Sequence, residues 1–575
     1  MGVEGEPVVQ KSIAEQAHAH YDRGVPFEIP LPTRSLYFLL ETSARYYPNN
    51  IAIDFFGRTW TYEKLLREVN QAAQVLYQIG VRKGDTVALA MPNCPQHFVA
   101  FYALMRLGAV AAEHNPLAPD AQIAGQLERN GAKVAIVWEK CASSYTQIVE
   151  DGGTVFSVNL SASMPAKYRF ALNLPVNKAR KKRAQVRADV PAEYLSWDNE
   201  VANSRLLAAT VPHAEVDDIA VILHTGGTNG VPKSVPLTHL NLGANANQNI
   251  FWVWKLHEGA ETFWSLLPYF HAFGLTFFLI CSVALSSTQV MLPQFDVDAA
   301  LDAHKRRPIS FFVGVPPMFD RLAKAARKRG DDLTSIKFAI SGGMPLSREI
   351  AELWEHTTTH YIIEGYGMSE TAPTMCGSPL TPERRHSSLG LPFPSTEIRL
   401  VDPANPSMDV EDGQPGEILV KGPQVFSGYL DAPEENQRVF HDGWLRTGDI
   451  ARNEDGFLVM ADRLKEMIIT SGFNVFPSEV EAVFNQMEEI ESCTAVGISD
   501  PESGEKVALA IVPAEEQEGR LTLADIRAFG EAHLPHYALP KIVELFESLP
   551  VSQLGKVLRH TVRDQITQRQ GKPKA

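Results

Sequence analysis

The strongest constraint on the fold of this chain is a recurring pattern in which a short apolar run ends at glycine or proline. The pattern occurs in "ISFFVGVPP" (309–317), "SIKFAISGG" (335–343) and "HYIIEGYG" (360–367). Apolar runs of this length, bounded by turn residues and separated by helical patterns, predict a parallel α/β sheet with helices on its faces. Ligands of such sheets bind beyond the carboxyl ends of the strands, so the site is expected at these glycines.

The same alternation runs through residues 34–140 and changes past residue 400. Patterns typical of amphipathic helices are "SLYFLLETSARYYP" and "EKLLREVNQAAQVLYQIG", while "IAIDFFGRTWTY" predicts a hairpin and "KVAIVW" a strand. Later, "EIRLVD", "GEILVKG" and "WLRTGDIARNEDGFLVMADR" predict an antiparallel module. A small α+β unit is expected from Met467 onward.

Length, charge and cysteine usage limit the classes of function. A chain of 575 residues is too long to pack around a single hydrophobic core, so at least two domains are expected. The formal net charge of -15 argues against a general nucleic-acid binder. The five cysteines are scattered without a CxxC pair, which gives no zinc motif and suits a reducing compartment. Residues 1–20 lack the basic start and apolar run of a secretory signal, and the apolar stretch 275–285 is too short for a bilayer, so a cytoplasmic location is expected.

A glycine-rich loop, "HTGGTNGVPKSVPLTH" (224–239), follows the apolar run "IAVIL". In a Walker loop the lysine comes directly after the last glycine, whereas Val231 and Pro232 stand before Lys233 here. Backbone N–H groups of consecutive small residues predict an anion-binding nest, and the hydroxyl groups of Thr225 and Thr228 add donors. The members of this nest are Gly226, Gly227, Thr228, Asn229 and Gly230. The alternative is a plain glycine-rich connection after a strand.

Further motifs accompany the loop in a definite order. They are "LPYFHAFG", "SGGMPL", "EGYGMSET", "GWLRTGDI", "DRLKEMIITSGFNVFPSEVE" and "LPVSQLGKVLR". Together they resemble the adenylate-forming superfamily of acyl-CoA synthetases, luciferases and peptide-synthetase adenylation domains, and most closely a bacterial-type fatty acid–CoA ligase. The resemblance covers about Tyr47 to Arg559 and implies an α/β fold with a large multi-sheet N-terminal domain, residues 1–464, of two α/β subdomains and a distorted β-barrel. A small mobile α+β domain, residues 465–575, is implied to carry a catalytic lysine.

The resemblance implies ATP and Mg²⁺ for a first half-reaction in which a carboxylate joins the α-phosphate and pyrophosphate leaves. The phosphates are implied to contact Thr225 to Gly230 and Lys233, and magnesium to be bound by Glu370 with Thr225. The implied adenine slot consists of Gly342, Gly343, Glu364, Gly365, Tyr366 and Gly367, with Ser369 beside it. Asp449 is implied to bind the ribose hydroxyls, and Arg463 to contact ribose or phosphate. Lys556 is implied to reach the carboxylate and the α-phosphate, and His271 to form a wall of the carboxylate pocket.

In the implied second half-reaction, coenzyme A attacks the acyl adenylate and AMP leaves. The small domain is implied to rotate about Lys465 and to present the "SGFNV" stretch, including Gly472, to the pantetheine tunnel. Lys465 considered alone is an ordinary lysine between domains, and its position in the motif favours the hinge interpretation. The turn-like Gly428–Leu430 is not assigned to the site.

Some positions depart from the usual family pattern. Asn229, Ser234 and Ser369 replace threonine, glycine and threonine, and all three keep hydrogen-bonding capacity. Gly226 stands where serine or threonine is common, which removes one hydroxyl donor and is expected to weaken phosphate contact. Because the other implied residues are present, an active enzyme is expected.

The implied substrate is a medium- or long-chain fatty acid, because the hinge stretch has Ile469 and Ser471 where the aryl branch usually carries extra lysines. An aryl or short-branched acid–CoA ligase is the alternative within the family. Outside it, the alternatives are an acyl-AMP ligase that loads a carrier protein and a binding module with an inactive site. A monomer and a homodimer are equally compatible with the sequence.

One segment stands apart in charge. Residues 152–188 include no acidic residue. Basic residues accumulate between 165 and 187, and aromatic residues are interleaved with the first of them. One interpretation is a solvated helix face or loop. The other is a surface that contacts anionic lipid headgroups, which would place the protein peripherally on the inner face of the membrane.

Overall fold

The computed structural model describes residues 12–225, 233–464, 466–470, 473–500, 504–514, 522–551 and 557–570. The chain divides into two compact units, the first comprising Met1–Glu397 with Lys421–Gly443 and the second Ile398–Val420 with Trp444–Ala575. The boundary expected at residue 465 lies inside the second unit and stays a prediction. Mixed α/β architecture with several sheets is confirmed.

The first unit contains two mainly parallel sheets. One sheet runs in the order Leu195–Ser196, Thr154–Val158, Val134–Trp138, Thr86–Ala90, Val110–Glu113, Ile219–Thr225, Lys233–Thr238, and only the last pair is antiparallel. The other runs in the order Leu391–Pro392, Thr374–Gly377, Ile362–Gly367, Phe338–Gly342, Phe311–Gly314, Thr262–Ser265, Thr288–Met291, Ile51–Phe55, Arg58–Thr61. The three glycine-terminated runs are adjacent parallel strands of this second sheet, and the hairpin at residues 51–61 is confirmed.

Helices accompany these sheets, and some begin or end at residues that sequence rules favour. The helices of the first unit include Tyr37–Tyr46, Tyr62–Gln78, Pro95–Leu107, Asp120–Asn130, Ala166–Leu172, Asn177–Val186, Trp197–Asn203, His239–Trp252, Val297–Arg306, Pro316–Arg329, Arg348–Thr358 and Pro433–Val439. Pro95 opens its helix and Gly108 ends it in the left-handed conformation, with φ +69°, where glycine has no Cβ penalty.

The apolar stretch at residues 275–285 forms short buried turns. Leu275–Cys281 is a π-helical segment whose side chains are all buried, and Ser282–Ala284 continues it. Within the described ranges, no helix combines the length and the apolarity needed to cross a bilayer.

The second unit combines an antiparallel sheet with a small α+β sheet. The first has the order Asn405–Asp409, Glu397–Asp402, Gly416–Lys421, Trp444–Glu454, Phe457–Arg463. The second has the order Phe473–Val475, Ile468–Thr470, Gly504–Pro513, Ile490–Asp500, with Ile542–Leu545 beside Gly504–Pro513. Helices Pro477–Phe484, Leu523–Gly530 and Arg559–Gln570 accompany them. The expected antiparallel module and α+β unit are confirmed, while closure of the former into a barrel stays a prediction.

Candidate active site

The two ends of the glycine-rich loop are held together by strand pairing. Thr225, at the end of Ile219–Thr225, is the antiparallel partner of Lys233, at the start of Lys233–Thr238. A Walker loop leads from a strand into a helix, whereas this one connects two strands of a hairpin. Residues 226–232 lie outside the described residues, and with them the predicted Gly226, Gly227, Thr228, Asn229 and Gly230.

The Lys233 ammonium group has two neighbours that the motif analysis did not include. It forms an ion pair with the Glu435 carboxylate and lies 4.7 Å from the centre of the Tyr429 ring. A cation at this distance from an aromatic face is attracted by the ring quadrupole. The loop lysine is therefore held at a defined position beside the strand pair.

Glu370 lies in the short turn Ser369–Thr371 and is 6% exposed. Its Oε1 atom accepts a hydrogen bond of 2.6 Å from the Tyr429 hydroxyl, and its carbonyl oxygen accepts one of 2.9 Å from the Phe426 N–H. Burial and the Glu370 carboxylate raise the pKa of Tyr429, so its hydroxyl remains a donor at ordinary pH. One tyrosine thus contacts both the motif carboxylate and the loop lysine.

A buried polar face of helix His239–Trp252 ties the surrounding segments together. Asn241 completes the capping box with Thr238 and donates to the carbonyl oxygens of Pro423 and Val425 at 2.9 and 3.0 Å. Asn245 donates to the Thr374 carbonyl oxygen at 2.7 Å, and Gln248 to that of Pro394 at 2.8 Å. Buried amides are stable only when paired in this way. This helix therefore fixes the segment that carries Tyr429 relative to the strand that follows Glu370.

The residues predicted for the adenine slot lie at the carboxyl ends of two neighbouring parallel strands. Gly342 is the register partner of Gly365, and Ser341 that of Glu364. Gly343 has φ +77°, a conformation that suits glycine. A Cβ on Gly367 would lie 1.8 Å from the Pro373 carbonyl oxygen. Packing inside the chain is sufficient to require glycine at residue 367.

Tyr366 and Ser369 lie in the same stretch. Tyr366 pairs with Cys376 across the strands, and Ser369 opens the turn that carries Glu370. The structure therefore brings the whole "EGYGMSE" motif to one edge of the sheet.

Glu364 has an altered acidity. Its carboxylate accepts a 3.2 Å hydrogen bond from the Ser387 N–H, yet burial raises the pKa of Glu364 from 4.5 to about 7. Desolvation disfavours the charged carboxylate more than the hydrogen bonds stabilise it.

We expect Glu364→Gln to change the pH dependence of stability. Because the pKa of Glu364 is raised in the folded chain, this carboxyl group loses its proton at lower pH in the unfolded chain. The free energy of unfolding of wild type therefore falls as pH rises from about 4.5 to 7, and glutamine removes this loss. Allowing for partial solvation, the variant should gain about 1–2 kcal/mol relative to wild type between pH 5 and pH 8. Apparent thermal midpoints at the two pH values measure this, with Glu383→Gln as an exposed control. A difference that does not vary with pH would contradict the prediction.

His271 precedes the short helical turn Ala272–Gly274, and its Nδ1 accepts a 3.4 Å hydrogen bond from the Phe273 N–H. Its side chain reaches solvent, although desolvation lowers the pKa of the imidazole. The imidazole is therefore neutral near pH 7, and its role as a pocket wall stays a prediction.

The second unit brings Asp449 and Arg463 together. They are antiparallel register partners, and Arg463 Nε lies 3.2 Å from Asp449 Oδ1. Asp449 is 8% exposed, and the Thr447 hydroxyl oxygen accepts a hydrogen bond from its N–H. The cross-strand arrangement holds the carboxylate in one orientation.

Arg559 in the "LGKVLR" motif anchors the start of helix Arg559–Gln570. Its guanidinium donates to both carboxylate oxygens of Glu481, at 3.1 and 2.6 Å, and pairs with Asp462 and Glu466. Bidentate contacts of this kind fix orientation as well as charge. The predicted Lys465, Gly472 and Lys556 lie outside the described residues.

Comparison with known proteins gives the family. Residues 40–430 match the family described as AMP-binding enzyme, and residues 479–556 match the AMP-binding enzyme C-terminal domain. This chain belongs to the AMP-binding enzyme family. The resemblance expected from the ordered motifs is confirmed.

Individual relatives of this AMP-binding enzyme cover nearly its whole length. It is 32% identical to a long-chain-fatty-acid–CoA ligase of Bacillus subtilis (strain 168), over 96% of this chain and 98% of the relative. It is 35% identical to a long-chain-fatty-acid–CoA ligase of Salmonella typhimurium (strain LT2), over 95% of this chain and 97% of the relative. It is 30% identical to a feruloyl-CoA synthase of Amycolatopsis sp, over 90% and 96%. Among solved structures, ATP-bound MatB from Rhodopseudomonas palustris matches with a TM-score of 0.78 and 25% identity, over 92% of this chain and 99% of that one.

Sequence analysis of this AMP-binding enzyme missed the residues that hold the motif side chains. Tyr429 belongs to a Gly-Tyr-Leu stretch that was not assigned to the site, and Glu435 lies on a polar helix with no visible motif. The available signal was the amide-rich "NLGANANQN" run, since five amides on one helix are unusual unless they are paired.

Proposed function

We propose that this AMP-binding enzyme is an acid–CoA ligase that activates medium- or long-chain fatty acids. It would form an acyl adenylate from the acid and ATP with release of pyrophosphate, and then transfer the acyl group to coenzyme A with release of AMP. The observation that carries the proposal is similarity to fatty-acid ligases over nearly the full length of both chains. Aryl acids are less favoured, because the similarity to the feruloyl-CoA synthase is lower in identity and in coverage.

The metal requirement is compatible with the side chains at the site. Within the part of the chain that the structure describes, no group of three or more His, Cys, Asp or Glu side chains is placed to hold a metal ion. Magnesium in phosphate-transfer sites is bound by one or two carboxylates together with substrate phosphates. Glu370, with its carboxylate oriented by Tyr429, fits that role, and Thr225 is the proposed second ligand.

The remaining roles follow the same proposal. Lys233 and the loop at residues 225–230 bind the β- and γ-phosphates, because an ammonium group offsets their charge and a run of small residues offers N–H donors to anions. Gly342, Gly343 and residues 364–367 line the adenine slot. In the second unit, Asp449 accepts hydrogen bonds from the ribose hydroxyls and Arg463 contacts ribose or phosphate. Residues 465–575 form the mobile domain, with Lys465 as hinge, Lys556 for adenylation and Gly472 for thioester formation.

A carboxylate screen tests the function. Pyrophosphate release would be measured with saturated fatty acids of increasing chain length, with benzoates and hydroxycinnamates, and with short branched acids, each with and without coenzyme A. The proposal expects the highest kcat/KM with medium or long chains and an acyl-CoA product when coenzyme A is present. Activity on aromatic acids alone would refute the substrate class. Pyrophosphate release without any acyl-CoA product would refute the ligase and favour an acyl-AMP ligase that loads a carrier.

We further propose that the basic segment, residues 165–187, places the enzyme at an anionic membrane surface. Helix Ala166–Leu172 has no buried residue, and helix Asn177–Val186 buries only Ala179. Phe170 is 71% exposed, and Tyr168, Leu174 and Val176 are also exposed. Exposed apolar side chains among cations are typical of surfaces that lie in the headgroup region. A fatty acid dissolved in a bilayer would then be close to the enzyme.

Vesicle binding tests this placement. Neutralising Arg180, Lys181 and Lys182 to glutamine should weaken binding to vesicles containing anionic phosphatidylglycerol about 100-fold, at about 1 kcal/mol per cation. The charge-matched control changes Lys324, Arg327 and Lys328, exposed on helix Pro316–Arg329, to glutamine. Cosedimentation at low and high salt measures the difference. Equal binding by both triple variants would contradict the proposal.

A further inference from the structure

The segment from Phe426 to Leu430 connects the two phosphate-site motifs of the first unit. The Phe426 N–H donates to the Glu370 carbonyl oxygen at 2.9 Å, and the Leu430 N–H donates to the Ser234 carbonyl oxygen at 3.0 Å. Main-chain hydrogen bonds therefore fix this segment to Glu370 at one end and to the residue after Lys233 at the other.

Tyr429 is held rigidly between these ends. Asn436 accepts a 2.7 Å hydrogen bond from the Tyr429 N–H and donates one of 2.9 Å to the Tyr429 carbonyl oxygen. Gly428 has φ +135°, and a Cβ there would lie 2.9 Å from the Asn436 side chain. The Phe426 ring packs edge-on against the Tyr429 ring, with centroids 5.0 Å apart. The phenol therefore has little freedom to turn away from Glu370.

We propose that Tyr429 and Glu435 are positioning residues of the phosphate site: Tyr429 orients the Glu370 carboxylate for the divalent cation, and Glu435 is the internal counterion that a nucleotide phosphate displaces from Lys233. The inference rests on the proposed function, because it assigns the phosphates of ATP to this site. It concerns two residues outside the motifs that define the site.

The chemistry of the cluster supports both roles. The Tyr429 hydroxyl donates to Oε1 of Glu370 at 2.6 Å, and a donor fixed in this way orients a carboxylate for a metal ion. Lys233 and Glu435 are each about one-quarter to one-third exposed, at 26% and 30%, so their ion pair is weakened by solvent and exchangeable. A phosphate that displaces Glu435 forms an ion pair with the Lys233 ammonium group. The Glu435 carboxylate competes with pyrophosphate for Lys233 and pairs with it again when pyrophosphate leaves.

The first test neutralises the counterion. Glu435→Gln should tighten MgATP binding about two- to fivefold, as expected for loss of a competing, partly exposed carboxylate. Pyrophosphate should inhibit this variant more strongly by a similar factor. The matched control is Glu434→Gln, one residue earlier on the same helix and exposed, which should bind MgATP like wild type. Calorimetric titration of the full chain with MgATP measures affinity without turnover.

The second test removes only the phenolic hydroxyl. Tyr429→Phe keeps the ring beside Lys233 but removes the hydroxyl that donates to Glu370. The Mg²⁺ concentration for half-maximal nucleotide binding should therefore rise about tenfold, which is within the usual range for a residue that orients a metal ligand. ATP affinity at saturating Mg²⁺ should stay near wild type. Tyr46→Phe, at an exposed tyrosine, is the control. Circular dichroism and thermal midpoints establish that each variant is folded.

The outcomes separate this inference from the proposed function. Unchanged MgATP affinity in a folded Glu435→Gln chain overturns the counterion role, and an unchanged Mg²⁺ requirement in Tyr429→Phe overturns the orienting role. If wild type binds MgATP but releases no pyrophosphate with any acid, the proposed function fails while the affinity comparison still decides the inference. A wild-type chain that binds no MgATP overturns both.

Discussion

Lys556→Ala is expected to lower the rate of acyl-adenylate formation about 100- to 1000-fold, the loss typical of removing one group that stabilises charge in a transition state. In the proposed function this lysine reaches both the carboxylate and the α-phosphate. A flexible side chain with a point charge suits that position, because it can approach two anions that otherwise repel each other.

Measuring the second half-reaction distinguishes a specific role of Lys556 in adenylation from a general loss of folded enzyme. Acyl-CoA formation from a synthetic acyl adenylate does not require Lys556 in the proposed mechanism, so its rate should stay within a few-fold of wild type. Pyrophosphate release and thioester formation would be measured separately on the same preparations. Lys541→Ala, at an exposed lysine of the same unit, is the control. Equal losses in both half-reactions would show that Lys556 has no specific role in adenylation.

Asp449→Asn is expected to raise the KM for ATP about 10- to 100-fold. The carboxylate is 8% exposed and held by the cross-strand contact with Arg463. In the proposed function it accepts two hydrogen bonds from the ribose hydroxyls. Hydrogen bonds to a charged partner are worth about 1.5–3 kcal/mol, which corresponds to this range. Asparagine keeps the size of the side chain but replaces one acceptor oxygen by a donor.

A substrate lacking the hydroxyls makes this test specific. Wild type should lose affinity for 2′,3′-dideoxy-ATP, whereas the Asp449→Asn chain should discriminate much less between the two nucleotides. The control is Asp564→Asn, an exposed carboxylate on helix Arg559–Gln570. Undiminished discrimination in the Asp449 variant would mean that another group binds the ribose.

Much of the fold was accessible from sequence because its determinants are local. The runs ending at Gly314, Gly342 and Gly367 were recognisable as buried strands, since apolar side chains followed by glycine leave few alternatives. Pairing order was not accessible in the same way. Strand Ile51–Phe55 lies beside Thr288–Met291, more than 200 residues later, and this neighbour depends on packing of the whole unit.

The site shows the same division. The resemblance of short motifs to the family implied Lys233, Glu364, Glu370, Asp449 and Arg463 as candidates, and these motifs can be read directly from the sequence. The altered acidity of Glu364 was not predictable, since it arises from burial by surrounding segments.

By itself, the sequence determined the family, the α/β class and the identity of the motif side chains, because these depend on residues within a few positions of one another. Only the tertiary structure decided what those side chains contact. Tyr429 reaches Glu370 across 59 residues, Glu435 reaches Lys233 across 202, and Asn241 reaches Pro423 across 182. Such contacts form when the packed core brings distant segments together, and no periodicity or spacing in the chain records them.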